Sequence, residues 1–341
     1  MARKLPALVR AGLLAAGVVL LQALLVVWFA WPAKNTAPRD LPVVVAGSTS
    51  AATAVADRLR AERPGAFHIR TVADAATADE ALRNRDAYAA FVIDPAAGPG
   101  AMSLHVASAA SPTVSTLLSQ ATQQLSGSRQ VPVVDVVASP AQDPRGAAFS
   151  SAFLPLLLTS LAAGVALLYV VRSHAVRLIG LLTFAALAGG VAAGIMHGLG
   201  VLTGSYLAAA GTIALLALAI SGAISGLGAV IGAPGIGLGA LTVFFFGNPI
   251  SGLAAAPELL PKPWGMVGQF LPPGAGASLL RSAAFFDGAG STRPLWVLAG
   301  WALGGVLLTA VGHFRDHAKA SAPGTDVARD SVRRLGATAH R

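Results

Sequence analysis

Side chains able to carry chemistry are sparse in this chain, and their spacing excludes several kinds of engine. A phosphate-binding loop needs Gly-Lys followed by Ser or Thr, so that backbone amides and the lysine cradle a nucleotide. The four lysines are Lys4, Lys34, Lys262 and Lys319, and none precedes Ser or Thr. The chain therefore carries no ATPase motif. It has no cysteine, which removes thiolate catalysis, disulfides and cysteine-ligated metals. No His-Glu-x-x-His zinc motif is present. A proton-driven carrier keeps Asp, Glu or His inside its bundle. Positions 178 to 257 hold no Asp, Glu, Lys or Arg, and His197 is the one readily titrating side chain there. It reads as an interfacial residue or, more sharply, as a lone relay. Ser225-Gly226 and Ser251-Gly252 suggest an intramembrane protease, but Ala223 and Pro249 stand where that turn needs Gly. Serines within spans more often bond back to their own helix.

The most specific stretch is 248–288. It contains Asn248-Pro249-Ile250-Ser251-Gly252, Pro257-Glu258-Leu259-Leu260-Pro261 and Pro263-Trp264-Gly265. Gly268-Gln269-Phe270-Leu271-Pro272-Pro273-Gly274 and Leu279-Leu280-Arg281-Ser282 follow, then Phe285-Phe286-Asp287-Gly288. A simple loop would be more polar, and a full span would hold fewer prolines. Residues 257–293 are therefore expected to form a broken amphipathic hairpin in the external bilayer interface. Thr242, Asn248 and Ser251 are candidates to line a substrate path. Glu258, Lys262, Trp264, Gln269, Pro272, Pro273 and Arg281 would shape its outer gate.

These residues need a frame, and the charge pattern supplies it. Eighty uncharged positions, 178 to 257, are enough for three membrane spans of about 20 residues each. The 341 residues are 55% hydrophobic and 11% charged, with mean hydropathy +0.67. A typical soluble domain is about 25% charged. The expected class is a polytopic α-helical membrane protein with six transmembrane helices and an α/β domain inserted between the first two. The spans are 11–31, 149–171, 178–197, 206–231, 236–256 and 294–314. The first could instead be a signal peptide cut near Ala37, but its apolar run exceeds the about 7–15 residues of such segments. It ends in Trp28 and Trp31, which suit an interfacial belt.

Residues 32–147 read as the α/β domain. Strands are expected at Val43–Ala46, Phe67–Val72, Tyr88–Ile93, Met102–Ala107 and Val133–Val137. Helices are expected at Ser50–Glu62, Ala76–Asn84 and from Ser111, with Pro112 at the first helical position. Asp143-Pro144-Arg145-Gly146 reads as a linker.

The net charge of +9 could indicate nucleic acid, but most of it lies beside apolar segments, where orientation signals belong. Residues 1–10, the loop after the second span and the tail 315–341 hold three, two and six Lys or Arg. The short segments on the opposite face hold Lys262, Arg281 and Arg293. Both termini are thus expected in the cytoplasm, and the domain outside. Glycines four apart (190/194, 222/226, 228/232, 235/239 and 300/304) would serve packing within the chain or a dimer interface.

The 248–288 segment resembles the region between the last two spans of ABC-type-2 permeases. It is closest to the bacterial branch that includes the phage-infection-protein-like membrane proteins, which share a first span, a large external domain and five further spans. Ala87–Pro95 also resembles a segment of their external domains, an apolar strand followed by proline. The resemblance implies a permease subunit in the bacterial plasma membrane, paired as a homodimer and driven by ATP through a separate cytoplasmic ATPase. The loop containing Arg172, His174 and Arg177 would contact that ATPase; its basic residues could equally be topological anchors. The uncharged lining suits an apolar or amphipathic cargo. Two other readings stand beside this one. The domain could be a receptor or assembly surface on a non-transporting anchor, or the bundle could house an enzyme, for which no convergent ionisable cluster is visible.

Overall fold

The computed structural model describes residues 6–94, 98, 101–125 and 130–320. Arg3, Lys4 and Pro95 lie outside the described residues, as does the expected basic tail from 321 onward.

The chain begins with α1 (Ala7–Lys34) and then builds the α/β unit. Its elements are β1 (Leu41–Ala46), α2 (Thr49–Glu62), β2 (Phe67–Val72), α3 (Ala75–Arg83), β3 (Ala89–Ile93), β4 (Met102–Val106), α4 (Pro112–Leu125) and β5 (Val133–Asp135). The sheet order is β2-β1-β3-β4-β5. Strand β1 is parallel to β2 and β3, with Val43 opposite Ile69 and Ala89. Strand β4 is antiparallel to β3 and parallel to β5. A central strand covered on both faces is apolar throughout rather than alternating. This is why Leu-Pro-Val-Val-Val-Ala forms β1, with Leu41 and Val43–Ala46 buried. Helices α2 and α4 cover one face through Ala52, Ala56, Val114 and Leu118. Helix α3 covers the other through Ala78, Ala81 and Leu82. Asp74 caps α3 by accepting from the Thr77 amide at 2.8 Å, and Ser111 caps α4 through the Val114 amide at 3.2 Å.

The bundle follows. It comprises α5 (Ala147–Val170), α6 (His174–Gly198), α7 (Tyr206–Ile231), α8 (Ala233–Ala240), α9 (Trp264–Gly268), α10 (Pro272–Phe285) and α11 (Thr292–Ala320). Helices α1, α5, α6, α7 and residues Thr292–Gly312 of α11 are each long and apolar enough to cross a membrane. The expected linker is a helix cap. Both Asp143 carboxylate oxygens accept from the first amides of α5, Ala148 at 3.1 Å and Phe149 at 2.8 Å.

Helix α7 is the hub, and glycine makes it so. A Cβ on Gly164 of α5 would lie 2.6 Å from the Ser221 carbonyl. One on Gly189 of α6 would lie 2.8 Å from Ala214 Cβ, and one on Gly226 would lie 2.5 Å from the Gly305 carbonyl of α11. Gly222 and Gly226 thus serve packing within the chain. Gly300 and Gly304 meet nothing within 4 Å. Ser160, Ser221 and Thr309 bond back to carbonyls of their own helices, as polar residues in apolar helices do.

Two expectations need correction. The span over 236–256 is shorter. Helix α8 continues as a π-helix over Leu241–Gly247, 15 residues in all from 233 to 247, and then turns at Asn248-Pro249 and Gly252 (φ +70). At 1.5 Å per residue this is about 22 Å, against about 30 Å of hydrocarbon. Nor do residues 257–293 lie as a hairpin on the surface of the bundle. A 3₁₀ turn at Pro257–Leu259 and α9 lead into α10, whose Ala275, Ala277, Leu279 and Leu280 share one core with Phe153, Leu216 and Ile220. Small residues allow this, since a Cβ on Gly276 would come within 2.8 Å of Leu216.

Candidate functional site

The segment 248–288 joins the two halves of the molecule. Ala256 and Leu259 complete the core on the α2/α4 face of the sheet, and Phe286 completes the one under α3. The chain after α1 pairs with the same segment: the Ala37 amide donates to Leu259 O at 3.0 Å, and the Arg39 amide to Glu258 O at 2.9 Å. Arg39 Nη1 adds a bond to Leu259 O at 2.8 Å.

A polar cluster is set into this junction. The Tyr88 hydroxyl donates to Glu258 Oε2 at 2.9 Å. Burial, reinforced by Glu258, pushes the Tyr88 phenol far above its ordinary pKa, so it stays a donor. Arg85 donates through Nη1 to Ser278 O (2.8 Å) and Ser282 Oγ (2.5 Å), with its guanidinium 5.3 Å from the Phe286 ring centre. Burial lowers the Arg85 pKa, partly offset by Tyr88 and Glu258. Arg281, 7% exposed, donates to Leu253 O at 2.6 Å and lies 4.7 Å over the Phe149 ring. Gln269 donates to Ser251 O at 2.8 Å and accepts from Ser278 Oγ at 2.6 Å. Ser251 Oγ in turn donates to Asn248 O at 2.8 Å. The arrangement positions backbone.

The junction therefore gathers Glu258, Gln269 and Arg281 of the expected gate and Ser251 of the expected path, with Asn248 contributing its carbonyl. Lys262 pairs with Asp40 on the surface. Trp264 packs edge-on against Trp28 at 5.2 Å, and Trp28 Nε1 donates to Phe245 O at 2.7 Å, which docks α1 on the π-helix. Pro272 and Pro273 open α10, where their missing amide hydrogens cost nothing, and Pro273 packs on Gly247. Thr242 is half-buried and bonds back to Leu238 O at 2.8 Å. Sequence reasoning missed Arg85, Tyr88, Ser278 and Ser282. Local pattern cannot find them, because Tyr88 and Glu258 are 170 positions apart.

The expected ATPase loop lies at the other end of the bundle. Arg177 is 5% exposed and acts as a cap: Nε and Nη2 donate to Val171 O at 3.2 and 2.8 Å, and Nη2 to Leu168 O at 3.2 Å. Arg172 is exposed and His174 half-buried. All three line a concave pocket of about 400 Å³. His197 bonds to Ala193 O and Gly204 O, at 2.9 and 3.0 Å, and so closes the turn after α6.

One further constellation has the order of a catalytic relay. His105 Nδ1 is 2.6 Å from Asp79 Oδ1, and its Nε2 is 3.1 Å from Ser103 Oγ. The amide next to Ser103, that of Leu104, donates to Pro132 O at 2.9 Å. It is committed to the strand pairing and not to a developing oxyanion. Among the described residues no group of three His, Asp or Glu could hold a metal ion.

No protein family, curated protein or solved structure matches this chain.

Proposed function

We propose that this chain is the membrane-spanning subunit of an ABC-type-2 exporter. It moves an apolar or amphipathic substrate across a bacterial plasma membrane, and a separate cytoplasmic ATPase supplies the energy. The observation that carries this reading is the broken helix at the junction. Transport proteins place substrate at discontinuous helices, where irregular backbone is tolerated because protein or a cavity surrounds it. Here the fifth apolar helix is short, changes to π geometry at Leu241 and ends in the Asn248–Ser251 turn. That turn is bonded through Gln269 to the helix that carries Arg281.

In this reading the chain makes six passes, with the short α8 and π-helix as the fifth. Both termini are cytoplasmic and the α/β domain external. Two copies form the path, with Thr242, Asn248 and Ser251 along it. Leu238 and Leu241, about half exposed, face the partner copy or lipid. Arg172 reaches the ATPase. The receptor reading is less economical, since a recognition domain held by an anchor does not need a core shared with α10.

Purification of the tagged chain from its own membranes in a mild detergent tests the proposal. A P-loop ATPase should co-purify, and the complex should hydrolyse ATP faster when a lipophilic cargo is added. A chain that purifies without any ATPase, from cells whose efflux of lipophilic dyes is unchanged by its deletion, would overturn it.

A further inference from the structure

We propose that Arg85 is a latch between the two halves of the molecule. Closed, as here, it holds the α/β domain on α10; released, it lets the domain move as a unit over the bundle. The observation behind it is a backbone conformation. Helix α3 ends in the paired bonds of a Schellman turn, with the Asp86 amide donating to Ala81 O at 2.9 Å and the Arg85 amide to Leu82 O at 3.1 Å. Asn84 is the C-cap, so Arg85 occupies the next position, where the chain turns left-handed and glycine is the usual residue. Arg85 has φ +61. A side chain with a Cβ is disfavoured in that region, and glycine would make the same turn without the cost.

The side chain accounts for the choice of residue. Arg85 Nη1 donates to Ser278 O at 2.8 Å and to Ser282 Oγ at 2.5 Å, both on α10, and the guanidinium lies 5.3 Å from the Phe286 ring centre. Ser282 is fully buried. A Cβ on Gly290 would lie 3.5 Å from Arg85 Cδ, so the link from α10 to α11 closes beside the arm. Glycine at position 85 would relax the corner and lose all of these contacts. A residue held in a sparsely populated region by bonds at the far end of its side chain stores strain, and such residues gather at clamps and switches. Opening the two bonds removes what offsets that strain, so release of the arm and relaxation of the corner go together.

The rest of the junction fits a contact that can open. Among the described residues, the other non-glycine positions with a left-handed φ are Asp40 (+52) and Asp287 (+49). Asp40 lies on the link from α1 to β1, and Asp287 follows Phe286 on the link from α10 to α11. Aspartate is enriched in this region, whereas a long side chain such as that of Arg85 marks a constraint. Helix α10 shares the bundle core with Leu216 and Ile220, and α3 shares the core that Phe286 completes. A shift of α10 therefore reaches α3 directly through Arg85. The inference needs only this junction and is independent of whether an ATPase drives the protein.

Spin labels on the full chain in detergent test the latch. The chain has no cysteine, so Arg58→Cys on α2 and Leu207→Cys, 77% exposed at the start of α7, can carry one label in each half. Pulsed electron resonance should give one narrow distance for this labelled parent. Arg85→Gly, added to it, should produce a second, distinct distance while the thermal transition stays cooperative. The strain is read separately by comparing two substitutions that both remove the arm. Arg85→Gly should melt about 2 °C above Arg85→Ala, because only glycine also relieves the left-handed turn. If Arg85→Gly does not elute as the parent does on size exclusion, Ser282→Ala, which removes the hydroxyl acceptor alone, decides the distance and should show the second one at lower population. A single unchanged distance would overturn the latch. An Arg85→Ala midpoint equal to or above that of Arg85→Gly would overturn the strained corner on which it rests.

Discussion

The Tyr88 hydroxyl donates to Glu258 Oε2 at 2.9 Å and bonds the α/β domain to the segment 248–288 across 170 positions of sequence. Tyr88 immediately precedes β3, and Glu258 lies in the turn that feeds α9 and α10. The contact does not stand alone, because Arg85, three residues earlier, reaches Ser278 and Ser282 of α10. Domain and bundle are thus held by directional bonds as well as by shared apolar cores. Tyr88→Phe removes only the donor and leaves Glu258 half-buried without it. A bond to such a group is worth about 1–3 kcal/mol. Thermal unfolding in detergent should show a loss of that order, with no change in span topology.

Phe286 lies at the end of α10 yet is 5% exposed within the core under α3, beside Leu82 and Val92. Phe286→Ala should cost about 3–5 kcal/mol, the range for truncating a buried aromatic. Because that core belongs to both halves, limited proteolysis should open the α/β domain and the 248–288 segment together. Cleavage of one while the other stays protected would contradict a shared core.

The α7–α11 crossing depends on the absence of side chains. A Cβ on Gly305 would overlap the Gly222 backbone, whereas one on Gly300 meets nothing within 4 Å. Gly305→Val should abolish a monodisperse peak on size exclusion, and Gly300→Val should leave the monomer fold unchanged. A change of oligomer mass in Gly300→Val alone would place that face between two copies.

Asp143 is 5% exposed and accepts the Ala148 and Phe149 amides. Asp143→Ala leaves both amides without this acceptor at the start of α5. Loss of such a cap costs about 0.5–2 kcal/mol, read as a lowered thermal midpoint. Asp143→Asn should recover part of it, since one amide oxygen still accepts.

Much of the frame was legible in the sequence, for physical reasons. The apolar run Val43–Ala46 read as a buried strand, which the structure extends back to Leu41, and Ser111-Pro112 marked the start of α4. The uncharged stretch fixed the apolar helices because lipid tolerates little else. The end of the fifth helix was harder to read. Apolar residues run on past Gly247 to Ala256, and only the Asn248-Pro249 turn signal marks the break. Helix α10 was the largest surprise. Pro272–Ser278 looks like a loop, because Gly and Ala carry little apolar surface; its burial follows from Leu216 and its neighbours closing over small residues. The junction partners Arg85 and Tyr88 left no local trace, since their bonds run to residues almost two hundred positions away.

The chain's lack of cysteine permits a direct measurement of how it sits in the membrane. Single cysteines replace Arg58, exposed on α2, and Arg172, exposed between α5 and α6. Intact cells are then treated with a membrane-impermeant maleimide. Arg58→Cys should label at once, and Arg172→Cys only after the membrane is permeabilised. The reverse order, or both sites labelling in intact cells, would contradict a bundle that crosses the bilayer with its α/β domain outside.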